Sequence, residues 1–183
     1  FNIFKLSFLV FSLVTPCLSE SAPLKKVYIS KIVDHPALDM TVKGIVDGLK
    51  QKGYVSGENL ELRTESAQAN PVLAQQIATK FVNQNPDVVV GVGTLTAQSF
   101  AKAAQSGKTK LVFSSVTDPL KAGLVQTIEQ PGNNTTGVSN YVDLEVQLML
   151  FVKLQPTLKK LGFLYNAGEA NSVALKAELE PLC

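Results

Sequence analysis

The chain lacks tryptophan altogether and contains one histidine, two cysteines and four tyrosines among its 183 residues. The absence of tryptophan and the small number of tyrosines argue against a base-stacking platform for single-stranded nucleic acid. The cysteines, Cys17 and Cys183, lie near opposite ends, so neither a disulfide framework nor a cysteine-based metal site is predicted. With His35 as the only imidazole, no Ser/His/Asp set has the spacing of a nucleophilic triad. The sequence therefore predicts no catalytic residues, no metal ligands and no cofactor.

Charge is also scarce, because only 17% of the residues are charged and the net charge is +2. No dense Lys/Arg run occurs, which argues against a nucleic-acid surface. Hydrophobic residues make up 45% of the chain, enough for a real core. The length suits one domain, or one domain and part of another.

The first nineteen residues do not resemble the rest of the chain. An apolar run, Leu6–Val14, follows Lys5 and precedes Pro16, with small residues at Cys17 and Ser19. This pattern predicts a secretory signal peptide over residues 1–19, and hence a periplasmic or otherwise extracytoplasmic protein. The run is shorter than the roughly 20 residues that span a bilayer. A lipid anchor on Cys17 ranks second, because Pro16 is a poor fit to the small residue that such processing requires.

Residues 24–141 alternate between strand and helix patterns, which predicts a doubly wound, mostly parallel α/β sheet. Helices are predicted at Leu38–Lys52, from Pro71 to Val82, from Thr94 to Ala104 and at Leu120–Ile128. Strands are predicted at Lys26–Val33, Leu60–Ser66, Val88–Val90, Leu111–Ser115 and Thr136–Val138.

The segment around the third strand is the strongest candidate for a binding feature. Gly91 and Gly93 allow a sharp turn after the strand, and Thr94 is a plausible N-cap for the helix that follows. The unpaired N–H groups and dipole of a helix N-terminus favour an anion. A small anionic group is therefore expected to bind there.

The pattern restarts after Tyr141. A helix is predicted at Leu144–Leu154, a strand at Lys160–Tyr165 and a further helix from Ser172. One strand with two helices cannot bury its own faces. Residues 142–183 are therefore interpreted as the beginning of a second α/β lobe, with the chain truncated at its C-terminus.

Five segments together resemble the substrate-binding proteins of ABC transporters, of the tryptophan/tyrosine-binding type. In order they are KIVDHPALD, NPDVVVGVGTLTAQ, SSVTDPLKAGLV, EQPGNNTTGVSN and YNAGEANS, and the resemblance runs from Lys25 to about Glu180. It implies a type I periplasmic-binding-protein fold, in which two Rossmann-like lobes close on a small ligand. It also implies an aromatic amino acid as ligand, and a permease and an ATPase as partners.

The resemblance further implies which residues line the ligand cleft. Those of the first lobe are His35, Gly93, Thr94, Thr96, Ser115, Thr117 and Asp118, and those of the second are Asn166, Glu169 and Asn171. Hydroxyls and helix N–H groups would bind a carboxylate, and Asp118 or Glu169 could accept from an ammonium group.

Two other interpretations stay open at this point. One is an enzyme on a doubly wound fold acting on a small anionic substrate, although no phosphate-binding fingerprint is present. The other is a non-functional remnant that exposes the face its missing lobe should cover.

Overall fold

The structure, a computed structural model, describes residues 23–104, 108–132 and 134–183. The predicted signal peptide lies outside the described residues. Within these ranges five strands and five α-helices follow one another, and a short 3₁₀ helix at Glu180–Leu182 comes last. They are β1 (Lys25–Lys31), α1 (Pro36–Gln51), β2 (Leu60–Ser66), α2 (Pro71–Val82), β3 (Val88–Val92), α3 (Thr94–Ala103), β4 (Lys110–Val116), β5 (Thr135–Ser139), α4 (Leu144–Leu154) and α5 (Ala170–Leu179).

All five strands form one parallel sheet in the order β2-β1-β3-β4-β5, which confirms the predicted doubly wound α/β fold. β1 lies between β2 and β3, the strands that precede and follow helix α2 in the sequence. Lys25 is in register with Leu60 on one side, and Val27 with Val88 on the other. The strand order reverses between β1 and β3, and such reversals place a crevice at the carboxyl ends of the strands.

Helices cover the sheet on both faces. On one face, α2 and α3 bury a cluster centred on three stacked or tilted rings. Phe81 lies 5.1 Å from Tyr28 and 6.3 Å from Phe100 between ring centroids. On the other face, helix α1 packs against a second cluster, formed by Val27, Ile29, Leu60, Val90 and Val92.

A glycine allows α3 to approach the sheet closely. A Cβ built on Gly91 would lie 2.5 Å from the Ala97 Cα and 2.7 Å from its backbone nitrogen. Real Cβ atoms do not come so near to backbone, so only glycine fits here. The short distance sets the height of the first turn of α3 above β3.

Two predicted elements are wrong. Residues 120–128 form consecutive turns and no helix, since the chain turns at Gly123, which has a φ of +69°. Lys160–Tyr165 is irregular, because none of the described strands lies beside it to accept its backbone hydrogen bonds. The other predicted elements are confirmed, with boundary shifts of at most two residues.

The segment after the sheet packs loosely on it. In α4 only Leu144 is buried, and its other large apolar side chains are mostly exposed. Helix α5 is connected to the sheet domain by hydrogen bonding between Tyr141 and Glu178, and Lys121 Nζ lies 3.8 Å from the same carboxylate. Among the described residues, no helix is long and apolar enough to cross a membrane.

Candidate functional site

The predicted first-lobe site residues lie in or beside loops that leave the carboxyl ends of parallel strands. Because the strands are parallel, these ends meet at one edge of the sheet, which we call the rim. The rim is formed by residues 32–35 after β1, 67–70 after β2, 93 after β3 and 115–119 at the end of β4. The fold therefore brings the first-lobe candidates to a common edge.

The N-terminus of α3 faces the rim without a side-chain cap. Gly93, at a φ of +100°, is the N-cap residue, and Thr94 is the first residue of the helix. The prediction that Thr94 caps the helix is therefore wrong, because the left-handed turn at Gly93 starts the helix one residue earlier. The first helical bond runs from the Ala97 N–H to the Gly93 carbonyl. The N–H groups of residues 94–96 are thus the first-turn donors that a bound anion could accept from.

Thr94 and Thr96 are both buried, Thr94 at 7% exposure. The Thr96 side chain is 1% exposed, and its Oγ1 donates to the carbonyls of Val92 and Gly93, each at 3.0 Å. This back-bonding joins the first turn of α3 to the end of β3. Thr96 therefore supports the rim from inside the core.

The loop between β1 and α1 carries His35, which is exposed and caps α1. Its Nδ1 accepts from the Ala37 N–H at 3.2 Å. The base of the loop is held by Lys31, whose Nζ pairs with Asp34 at 2.8 Å and also with Asp39. The hydrogen bond to Asp34, and to a lesser extent the one to Asp39, raises the pKa of Lys31. The bond between Lys31 and Asp34 also lowers the pKa of Asp34. The predicted imidazole thus lies on a loop held by ion pairs.

The end of β4 has an unusual backbone. Ser115 has a φ of +54°, and the register with β5 shifts between Phe113 and Val116. Its Oγ lies 3.4 Å from Thr41 Oγ1 of helix α1. Across the rim after β2, Gln68 and Ala69 also have positive φ, at +50° and +56°. Left-handed conformations of non-glycine residues are strained and concentrate at functional sites.

Thr117 and Asp118 are half-buried residues of the β4 loop. The Asp118 Oδ1 accepts from the Lys121 N–H at 2.9 Å, as expected of a turn-starting aspartate. The Thr117 carbonyl accepts from the Ser139 hydroxyl at 2.8 Å. One carboxylate oxygen of Asp118 is therefore held by the turn, while the other lies 3.4 Å from Lys121 Nζ.

The three predicted second-lobe residues surround the N-terminus of α5. Asn166 Nδ2 donates to Glu169 Oε1 at 3.1 Å, and Asn166 Oδ1 accepts from the Gly168 N–H at 2.9 Å. Glu169 is the N-cap residue but makes no side-chain capping bond, and Asn171 is half-buried in the first turn. Within the described ranges, no hydrogen bond connects this group with the first-lobe rim.

Sequence reasoning missed two side chains that the fold places at the rim. Lys31 was assigned to the middle of a strand, because the predicted strand extended to Val33. Thr41 lies beside the apolar stripe of α1. A threonine at such a position in a helix does not indicate from sequence alone that it belongs to a site. Thr41 comes close to Ser115 only because of the way α1 packs across the end of β4.

A cavity of about 800 Å³ lies at the opposite edge of the sheet. Its lining includes the first residue of four strands, namely Lys25, Leu60, Val88 and Lys110. Ligands of open parallel sheets bind at the carboxyl ends of strands. We therefore assign the candidate site to the rim, on topology, in preference to this cavity. Among the described residues no cluster of three or more metal-ligating side chains occurs.

Comparison with known proteins gives a consistent result. The family model described as ABC transporter substrate binding protein matches residues 26–182. The "Tyrosine-binding protein" of Clostridioides difficile (strain R20291) is 37% identical over 154 residues, which cover 84% of this chain and 44% of that protein.

Solved structures agree in sequence and in fold. A conserved domain protein from Vibrio cholerae is 48% identical, with a TM-score of 0.81, over 86% of this chain and 53% of that one. An ABC domain from Streptococcus pneumoniae, crystallised in complex with L-Trp, is 31% identical, also with a TM-score of 0.81, over 87% and 53%. The chain thus spans about half the length of the relatives it matches.

Proposed function

Because the chain belongs to the family of ABC transporter substrate-binding proteins, we propose that it is part of an importer's extracytoplasmic receptor for an aromatic amino acid. The observation that carries the ligand class is the pair of relatives above. One is named for tyrosine and the other holds L-Trp, at 37% and 31% identity. Two related aromatic ligands favour an aromatic amino acid for this chain as well.

The chemistry of the rim suits the backbone of a free amino acid. The uncapped first turn of α3 offers N–H donors and a positive dipole end to the carboxylate. The Thr94 hydroxyl stands at the same helix end. For the ammonium group, Asp118 and Glu169 are the acidic candidates, and His35, Ser115, Thr117, Asn166 and Asn171 complete the proposed lining.

Binding follows from closure of two lobes. Residues 24–141 form the first lobe and residues 142–183 begin the second, so that the group around Asn166 and Glu169 would meet the ligand from the other side. A ligand that contacts both lobes favours the closed state by those added contacts. The partners are the permease and ATPase subunits, which receive the ligand from the closed receptor.

A thermal-shift titration of the purified chain tests this proposal. Tyrosine, tryptophan and phenylalanine are compared with tyramine, which keeps the aromatic ring and amine but lacks the carboxylate. At 100 times the dissociation constant a ligand stabilises the folded state by about 2.7 kcal/mol, which raises Tm by several degrees.

We expect a shift with at least one aromatic amino acid and none with tyramine at equal concentration. An equal shift with tyramine would contradict capture of the carboxylate by α3. A cooperative melt that none of the three amino acids moves would contradict the ligand class itself.

A further inference from the structure

The hydroxyl pair between α1 and β4 carries an inference about how the ligand is oriented. Ser115 Oγ and Thr41 Oγ1 are 3.4 Å apart in a half-buried position at the rim. Ser115 belongs to the proposed lining, whereas Thr41 belongs to neither the motifs nor the predicted site. The inference therefore concerns what Thr41 does to Ser115.

The proton of Thr41 has a defined acceptor. Thr41 Oγ1 lies 3.1 Å from the Ala37 carbonyl, one helical turn earlier, and a carbonyl can only accept. This distance is shorter than the one to Ser115, so the Thr41 proton belongs to the carbonyl. What Thr41 offers to Ser115 is then a lone pair.

The Ser115 hydroxyl is consequently the donor of the pair. With its single proton directed to Thr41, its oxygen presents lone pairs elsewhere, and a hydroxyl in that state accepts. In the part of the chain that the structure describes, Thr41 is the one hydrogen-bond partner of this hydroxyl. The left-handed backbone at Ser115 holds the side chain in this place at a cost in strain.

We propose that Thr41 is a positioning residue that makes Ser115 an acceptor for the ammonium group of the bound amino acid. This rests on the proposed function, since it presumes an amino acid at the rim. It also gives the ligand a direction: the carboxylate lies against the first turn of α3 and the ammonium group against the end of β4. Thr41 thus selects for ligands that carry an α-ammonium group.

The test compares two ligands that differ in that group alone, tyrosine and 3-(4-hydroxyphenyl)propanoate. Isothermal titration gives the dissociation constant of each for the purified chain and for Thr41→Val, which removes the lone pair while keeping the shape. We expect tyrosine to bind Thr41→Val at least about fivefold more weakly, since bonds to charged groups are the stronger ones. The affinity for the propanoate should stay within about twofold.

Three further variants separate this role from a structural one. Thr41→Ser keeps the hydroxyl and should restore the preference for tyrosine. Thr79→Val removes a comparable hydroxyl, whose Oγ1 donates to the Gln75 carbonyl at 2.9 Å on α2, and should change neither constant. Ser115→Ala should reproduce the loss of preference, and adding Thr41→Val to it should weaken tyrosine binding no further.

The outcomes are distinguishable. Equal weakening of both ligands in Thr41→Val, or an unchanged ratio, would overturn the positioning role while leaving the proposed function intact. Additive losses in the double variant would also overturn it, because two residues that act through one hydroxyl cannot add. If the unmodified chain binds neither ligand, the proposed function fails and this inference with it.

Discussion

Replacing Gly91 by alanine tests the close approach of α3 to the sheet. The new Cβ would lie 2.5 Å from the Ala97 Cα and 3.0 Å from its Cβ. Carbon atoms rest at about 3.5–4.0 Å, so the first turn of α3 must retreat by about 1 Å. The two nearest atoms belong to the Ala97 backbone, so rotation of a side chain cannot relieve the overlap.

The cost can be estimated from the packing that the retreat disturbs. Overpacking of a tight core costs about 1–3 kcal/mol, and the gain from replacing a flexible glycine returns up to about 1 kcal/mol. The sum lies between about 0 and 3 kcal/mol, and we expect Gly91→Ala to lower the free energy of unfolding by a value near the middle of that range, about 1–2 kcal/mol. With a urea m-value of about 2 kcal/mol/M, the unfolding midpoint falls by roughly 0.5–1 M.

Urea titration followed by circular dichroism measures this, and Gly44→Ala is the matched control. Gly44 lies inside α1, and the position that an alanine methyl group would take there has no neighbouring atom within 4 Å. Alanine at this position should therefore raise stability by about 0.5–1 kcal/mol. The two substitutions are chemically identical and should have opposite signs. If Gly91→Ala were as stable as the unmodified chain, the contact between Gly91 and Ala97 would not limit the height of α3.

Three more predictions concern stability and are checked by the same unfolding titrations. Phe81→Ala removes the ring between Tyr28 and Phe100 and should lower the free energy of unfolding by about 3–5 kcal/mol. Phe81→Leu should lower it by less than about 1.5 kcal/mol. A loss below about 1 kcal/mol for the alanine variant would contradict the assignment of Phe81 to the core. Asn70→Ala removes the side chain that caps α2 by accepting from the N–H groups of residues 72 and 73, and it should lower the free energy of unfolding by about 1 kcal/mol. Asn70→Ser should keep most of this stabilisation, because serine is also a good capping residue. At pH 7, Asp87→Asn should cost about 1 kcal/mol, because the carboxylate accepts from the Lys26 N–H at 2.9 Å and pairs with Lys25 while remaining partly exposed. These contacts, the Lys26 N–H first, lower the pKa of Asp87 in the folded state. The difference from Asp87→Asn should therefore be constant well above the unfolded pKa of about 4 and should decrease as the pH falls through the lowered pKa. A difference that does not change with pH would rule out the charge as its source.

The sheet could be predicted from sequence because each strand carries its own local signal. β2 was predicted with its observed boundaries, and the all-apolar Val88–Val90 could be placed as a strand buried on both faces. The predicted end of β1 at Val33 was two residues too late. Apolar character continues to that point, but regular pairing stops at Lys31, opposite Ser66 and Val92.

Failures of prediction occurred where local pattern and tertiary context disagree. Residues 120–128 have helical spacing, yet Gly123 adopts a left-handed conformation and breaks the run into turns. Lys160–Tyr165 has the composition of a strand, but a strand forms only beside another one. At the site, the loops could be predicted from where strands end, whereas the Thr41–Ser115 pair depends on the packing of α1 across β4, which sequence spacing does not encode.

The position of β1 between β2 and β3 has a consequence for how the chain folds. Its two edges are completed by segments 35 and 61 positions further along, as the pairs Lys25–Leu60 and Val27–Val88 show. β1 can therefore pair on both edges only after these two distant segments have reached it, and its edges are open to wrong partners until then. Loop-closure entropy of that size places folding in the slower range of two-state kinetics.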